Sequence, residues 1–457
     1  MPSYLLARAR HRSTFAFPIA LALLALGVGL RLVWLFLHPG ELAPGEAMNV
    51  AAHFAREGTL ADPYGEPSGP TAHLLPIPLL IGGAVYRAFG IASPASELIL
   101  SLISIGLVTA GFALFYAAFR RMGASPTACL LALAALCLLP FNLWLEVVAF
   151  RLWEGALAVA LAGAYLLALI ELDGTDEPSI RSMILLAAAN GLLFFISPQL
   201  GVGAYAASGY FLMRNVRPAR WPLATLIAAL ALAAFLVPWS IRNQQAMGEA
   251  LPLRSNFGLE LAIGFNPAAV EAADPYAAFQ NRLRELHPFS SAGARQRLHA
   301  AGGELPYFKA LADQTKSWIA DHPTLAMRLA ARHLADYLFP PSWLWLGADR
   351  SGSMVVLQMA IAWSVSLLGL LGVLTRLTAN ARFRYAAIIM AATILPYMLV
   401  QPILRYRYLV FAMLVFFAAD LVVRAVRRWR PADRVFERVD AWLSTSRSER
   451  AEARVTG

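Results

Sequence analysis

Apolar residues run along this chain in blocks of roughly twenty, parted by short polar stretches, and that is the length a helix needs to cross a bilayer core. The first block, TFAFPIALALLALGVGLRLVWLFL, follows a basic start, MPSYLLARARHRS. It is too long for a signal peptide, and no small-residue cleavage site follows it. It is expected as a retained span, with Arg8, Arg10 and Arg12 held in the cytoplasm by the positive-inside bias. Further blocks fall at about 94–119, 126–145, 154–172, 181–198, 199–214, 221–240, 354–375, 384–400 and 408–426. Pro198 marks the turn inside the tight pair at 181–214.

One apolar run reads differently. In TAHLLPIPLLIGGAVYRAFGI, Pro76 and Pro78 weaken a full span. Were it to cross, Arg120 and Arg121 would face outward, against the charge bias, so residues 72–91 are expected to lie at the interface. The acidic loop at Asp173, Asp176 and Glu177 is placed inside by parity, and Arg214, Arg217 and Arg220 follow on the same side. The reading is an all-α polytopic membrane protein of about ten spans with both ends cytoplasmic.

Residues 241–353 hold no continuous span. Stretches such as ELPYFKALADQTKSWIADHPTLAMRLAARHLADYLF are amphipathic helices by period, and the segment reads as a small, mostly helical outer-face subdomain. The organisation is thus an N-terminal membrane module, 1–240, with a first outer loop at 38–93. The subdomain at 241–353 follows, then C-terminal membrane helices at 354–430 and a cytoplasmic tail at 431–457. The tail's last residues, SRSERAEARVTG, read as disordered.

Composition agrees with this pattern. Of 457 residues, 59% are hydrophobic and 14% charged, against about half and a quarter in soluble domains. The net charge of +10 sits in short blocks beside apolar runs, so it encodes topology and calls for no nucleic-acid partner. Cys129 and Cys137 stand i,i+8 in one run, about 12 Å apart on a helix, too far for a disulfide. They read as small core residues.

The candidate chemistry lies in the outer segments. In the first loop, Glu46 opens a helix-like stretch whose Ala47, Val50, Ala51 and Phe54 share one face. Gly45 before it and the helix dipole would hold it ionised and aimed outward, as a general base or simply as a solvated N-terminal acid. Glu146 and Glu154 flank a second outward turn, with Arg151 between them able to pair with either. Acids at membrane depth are costly and are candidates by default, and an interfacial salt bridge is the plain alternative. Where the last span begins, QPILRYRYLVF carries Arg405 and Arg407. At i,i+2 they point apart on a helix, whereas a non-helical entry would let both face an anionic head group. Tyr406 and Tyr408 suit an aromatic belt in either case. In PWSIRNQQAMGEALPLRSNFGLELAIGFNP, Arg242, Asn243, Arg254, Ser255 and Asn256 lie just outside the membrane, as an ordinary loop or a substrate contact. His73, in TAHLLP of the first loop, joins the binding candidates.

Other chemistries lack a motif: there is no phosphate-cradling glycine loop and no metal-spaced His/Cys cluster. His287, His299, His322 and His333 are scattered, and the HPF and DHP contexts read as turns. Asp420 with Arg424 at i+4 reads as a local ion pair.

Taken in order, GEAMNVAAHFAREG, DPYGEPSGPTAHLLPIPLLIGGAVYRAFG, the PWSIRN to GFNP segment and RYRY resemble landmarks of the polyprenyl-phosphate-dependent, C-type membrane glycosyltransferases. The likeness is to the branch of protein mannosyltransferase-like and lipid A aminoarabinose transferase-like proteins, and it covers nearly the whole chain. It implies a catalytic base in the first outer loop, here Glu46, and a second-loop acid, Glu154 or Glu146. It also implies a lipid-phosphate contact at Arg405 and Arg407. Better-known branches carry an Asp-Glu pair where this chain has Gly45-Glu46, which weakens any inference of a metal, although a divalent ion stays possible. The implied partners are a polyprenyl-phosphate-linked sugar, an unknown glycan, lipid or protein acceptor, and membrane lipids. The implied setting is a bacterial inner membrane with the site on the periplasmic face. The competing readings are a transporter or flippase of envelope glycan precursors, or a scaffold. No repeated halves support the former.

Overall fold

The computed structural model describes residues 15–41, 45–175, 177–345 and 352–445, and everything below refers to these. Arg8, Arg10, Arg12, Asp176 and the SRSERAEARVTG end lie outside them. The described chain is helical, its one β contact being an isolated bridge between Ala61 and Pro70.

Helix α1 (Ala16–Leu37) leads to the first long loop, which holds α2 (Glu46–Glu57) and the short α3 (Pro76–Phe89). The chain then returns through α4 (Pro94–Met122) and turns into α5 (Pro126–Leu138), α6 (Leu143–Val147) and α7 (Gly155–Leu172). The pair α8 (Ile180–Ile196) and α9 (Pro198–Asn215) follows, then α10 (Trp221–Met247). Six short or amphipathic helices make the next segment: α11 (Phe257–Gly264), α12 (Pro267–Glu271), α13 (Pro275–Leu286), α14 (Ala292–Ala300), α15 (Glu304–Asp321) and α16 (Pro323–Leu338). The chain closes with α17 (Gly352–Arg376), α18 (Ala381–Ile394), α19 (Leu404–Arg427) and α20 (Arg430–Ser444).

Serine caps and prolines set the helix starts, as at α4, where Ser93 accepts from the Ser96 N–H and Pro94 takes the first position. Helix α4 stops at Gly123, whose φ of +98° favours glycine. Inside the bundle, glycines let backbones touch. A Cβ on Gly372 would lie 2.3 Å from the Phe417 carbonyl oxygen, and one on Gly203 2.4 Å from that of Ile389.

Six segments are long and apolar enough to cross a membrane: α1, α4, α7, Pro218–Met247, α17 and α19. The protein is an integral membrane protein. The expected ten spans are not confirmed, because several expected blocks form shorter helices. The block at 126–145 is broken: Pro126–Leu138 and Leu143–Arg151 meet at 76°. Helices α8 and α18 have 17 and 14 residues, and α3, within the run expected at the interface, has 14. The block expected at 221–240 instead continues as helix to Met247, with Pro238 inside it.

The break after α5 explains a charge within the first span. The Arg31 guanidinium donates to the carbonyls of Leu136 (3.1 Å) and Cys137 (3.1 Å) and pairs with Glu146 (2.6 Å). Tyr408 donates to the same carboxylate at 2.8 Å. At the opposite end of the bundle, Asp173 gathers Arg214, Arg382, Tyr385 and Asn215. Asp420 pairs with Arg424 as expected, and also with Arg376. Cys129 and Cys137 are buried free thiols.

Candidate active site

Helix α2 lays Ala47, Val50 and Ala51 against α3, where Gly83 leaves room: a Cβ there would meet the Phe54 ring at 2.5 Å. This packing fixes the start of α2. Gly45, at φ +100°, turns the chain into the helix, and Glu46 stands in its first turn, favoured by the dipole. Its side chain is buried within the first loop, 8% exposed.

Two histidines face it. His287, just after α13, brings Nε2 to 3.3 Å from Glu46 Oε1, and His73 Nε2 stands 3.9 Å from the same atom. The Phe289 N–H donates to His287 Nδ1 at 3.3 Å, so the His287 proton sits on Nε2, the nitrogen nearer Glu46. The His73 ring contacts Tyr64, His287 and Phe308. Burial, then the charges of Arg254 and Arg405, keep His73 well below the usual histidine range, so it is neutral at pH 7.

Glu46, His73 and His287 offer ligand atoms within 4.8 Å of one another. Tetrahedral ligands about 2.0–2.1 Å from a zinc-like ion stand roughly 3.3 Å apart, close to the Glu46–His287 spacing of 3.3 Å. Ligation by His287 would require its proton to move to Nδ1 and would break the Phe289 contact. That costs about 1 kcal/mol, far less than a structural zinc site contributes, roughly 10 kcal/mol. Glu46 and His287 therefore have the spacing a divalent cation needs, and His73, 3.9 Å from Glu46, would have to move inward to complete the set.

Beyond Glu46 lies a second acid. Glu154, at the start of α7, pairs with Arg254 at 2.6 Å. Burial pulls its carboxyl upward, but Arg254 and Arg405 outweigh burial and hold it below the ordinary value. Glu154, Arg254, Asn256, Glu260, Tyr397 and Tyr406 line a cavity of about 250 Å³. Burial raises the Glu260 carboxyl against the opposing charges of Arg405 and Arg254. A neighbouring cavity of about 320 Å³ has aromatic walls, with Phe141, Trp144, Trp153 and Trp345 beside Arg405. The Arg405 guanidinium stacks 3.8 Å over Trp153, and its charge acts on Glu154 and His73.

Several candidates fall elsewhere. Arg405 and Arg407 both belong to α19 and point apart: Arg407 donates to the Ala362 carbonyl (2.7 Å) and Ser366 (3.0 Å) in the core. Glu146 is spent on Arg31 and Tyr408. Arg151 bonds neither Glu146 nor Glu154, and instead pairs with Glu97 at 2.6 Å. Arg242 donates to the carbonyls of Thr71 and Leu60, and Asn243 to that of Leu251. Both tie loops together. Asn256 reaches Glu260 at 3.3 Å. His287, Glu260, Tyr64 and Glu304 are the site residues that sequence reasoning missed. A lone acid in the apolar run around FGLELAIG was a signal for Glu260; nothing local marked the others.

No known family model matches the sequence, and no curated protein matches it. Solved structures do. An archaeal oligosaccharyltransferase, AglB from Archaeoglobus fulgidus in complex with an inhibitory peptide and a dolichol-phosphate, aligns at a TM-score of 0.52 and 14% identity, over 93% of this chain and 52% of that one. The apo form of the Archaeoglobus fulgidus oligosaccharyltransferase gives 0.52 and 15%, with the same coverage. ArnT from Cupriavidus metallidurans bound to undecaprenyl phosphate aligns over 90% of this chain and 78% of that one at 15% identity. Its TM-score is 0.34, too low to define a shared fold. The chain spans about half the length of the oligosaccharyltransferase structures and shares the fold of the part it covers.

Proposed function

We propose that the protein is a membrane glycosyltransferase that moves a sugar from a polyprenyl-phosphate donor to a cell-envelope acceptor, with Glu46 as the general base. The observation that carries this is the setting of Glu46: a carboxylate at a helix start, 3.3 Å from His287 and free of any arginine pair, within charge reach of Arg405, which lines the aromatic cavity. The aromatic cavity suits the first units of a lipid tail, with the donor phosphate at Arg405. The polar cavity, with Glu154 and Glu260, suits hydroxyl-rich sugar. His287 Nε2 stands 3.3 Å from one Glu46 oxygen, leaving the other to take the proton of the attacking acceptor hydroxyl or amine. As that atom bonds the anomeric carbon from the far side, the bond from this carbon to the phosphate oxygen breaks. Polyprenyl phosphate leaves with the electron pair, its growing charge met by Arg405. One displacement gives inversion. A divalent cation held by Glu46, His73 and His287 would take the place of the His287 Nε2–H and supply positive charge beside the reacting centre.

In this reading the site faces the periplasm of a bacterial inner membrane and both termini are cytoplasmic. The test is sugar transfer or release from a panel of polyprenyl-phosphate sugars by the protein in proteoliposomes. Wild type turns over one of them, and Glu46→Gln, folded to the same melting point, does not. Lipid flux without transfer would establish the transporter reading instead.

A further inference from the structure

Glu304 opens α15 and reaches into the first loop, where it is 5% exposed. Each of its contacts is with a group able to donate. Thr71 Oγ1 donates at 2.6 Å and the Ala72 N–H at 3.2 Å, Ser255 Oγ also donates, and Tyr64 donates from its hydroxyl at 3.2 Å. Burial raises the Glu304 carboxyl, opposed by these four bonds. The same Tyr64 oxygen lies 3.4 Å from His73 Nδ1. Tyr64 has one proton and two claimants. A hydrogen bond to a charged carboxylate is stronger than one to a neutral nitrogen. Burial and the charge of Glu304 also hold the hydroxyl well above its ordinary value, so it keeps its proton. The proton goes to Glu304, and the Tyr64 oxygen is left to accept from His73. His73 therefore carries its hydrogen on Nδ1, and its bare Nε2 faces Glu46 Oε1 across 3.9 Å. Two lone pairs held face to face call for a donor between them.

We propose that Glu304 is a positioning residue: through Tyr64 it fixes His73 in the Nδ1–H form, so that Nε2 and Glu46 together receive the donor hydrogens of the acceptor group or a cation. This rests on the proposed transferase reading only for the identity of the acceptor. His287, pinned by Phe289, carries its proton on the opposite nitrogen, so one histidine presents an N–H 3.3 Å from Glu46 while the other offers a lone pair beside it.

Glu304→Gln tests the chain of bonds with little change of shape. The amide oxygen still accepts from Ala72 and Ser255, but its NH₂ now donates to Tyr64, whose proton turns to His73 Nδ1. Nitrogen NMR of histidine-labelled full-length protein in nanodiscs, with His73→Gln to assign the signal, reads the tautomer directly. Wild type is expected to show Nδ1 protonated, and Glu304→Gln to show Nε2 protonated. The variant's kcat should fall about 10- to 100-fold with the donor KM unchanged. Tyr64→Phe should fall as far, and the double variant no further. A wild-type His73 protonated on Nε2 overturns the proposal even if no variant folds, and so does an unchanged tautomer in Glu304→Gln. The tautomer is read without turnover, so a protein with the expected tautomers and no transfer activity would sink the transferase reading and leave the positioning intact.

Discussion

Glu46 and Glu146 are both buried glutamates near the same end of the bundle, 8% and 3% exposed, and their surroundings differ in kind. Glu146 has a full set of partners: Arg31 at 2.6 Å, the Tyr408 hydroxyl at 2.8 Å, and Ser104 on its own carbonyl. Its charge is cancelled and its geometry is spent on holding α1, α5 and α19 around a helix break. Glu46 has two histidines and no arginine within bonding distance, and it sits where a helix dipole favours the anion. A buried acid that is fully paired stabilises a fold; one left partly unpaired retains capacity to take a proton. The contrast teaches that partners, more than depth, separate the two roles.

The largest effect should come from the unpaired acid. Glu46→Gln is expected to lower transfer about 10²- to 10⁴-fold, the usual worth of a general base, while leaving thermal stability within about 1 kcal/mol. A large loss of stability with activity per folded molecule retained would make Glu46 another Glu146 and end the contrast. Next comes the paired acid's partner. Arg31→Leu leaves Glu146 buried with Tyr408 alone and frees two carbonyls at the break. Removing one side of such a pair costs about 3–5 kcal/mol. Denaturation in detergent measures it, and Arg31→Leu/Glu146→Leu should recover much of the loss, since no charge then remains buried. A double variant as unstable as the single would mean that the carbonyl contacts, not the pair, hold the break.

A third effect compares the site with its surroundings under acid. His333, on α16, is fully buried, and its Nδ1 bonds the Met398 carbonyl at 3.2 Å. Burial lowers its pKa from 6.5 to about 4. The unfolded chain thus takes a proton below about pH 6.5 that the folded chain refuses until about 4. Its contribution is whole above pH 6.5 and is lost as pH falls through this window, by roughly 3 kcal/mol at two and a half units. His73 is lowered in the same direction. Melting temperature against pH should therefore slope downward in acid, and His333→Gln should flatten part of that slope. An unchanged slope would assign the acid sensitivity to His73 and the site.

Much of this arrangement was legible in the sequence, for physical reasons. Twenty apolar residues in a row have few fates, so helices formed at all the expected blocks, and the Gly45-Glu46 step showed a turn and a helix start. What was hidden depends on tertiary meeting. The HPF context of His287 does read as a turn, but nothing near it shows that its ring meets the first loop. Glu304 has the look of any first-turn acid of an amphipathic helix. Arg407 shows the reverse lesson: the i,i+2 rule already separated it from Arg405, and because α19 begins at Leu404 the rule applies. Nothing around Arg31 in its apolar run shows its role, because the break it serves lies in another helix.

The smallest effect belongs to a pair with neither role. On α15, Lys316 stands 3.5 Å from Asp313 at i,i+3, with side chains 63% and 61% exposed. Both ions keep most of their water, so little is lost on separation, and such pairs are worth about 0–1 kcal/mol. Asp313→Ala should shift stability by less than about 0.5 kcal/mol, with transfer unchanged. The helix that carries this pair also begins with Glu304, which makes the control a strict one. If Asp313→Ala lowered kcat as Glu304→Gln is expected to, then general disturbance of α15, not the bonds at its first residue, would govern the site. Equal stability, with kcat lowered by Glu304→Gln and unchanged by Asp313→Ala, would instead locate the influence of α15 at its first turn, where Glu304 meets Tyr64.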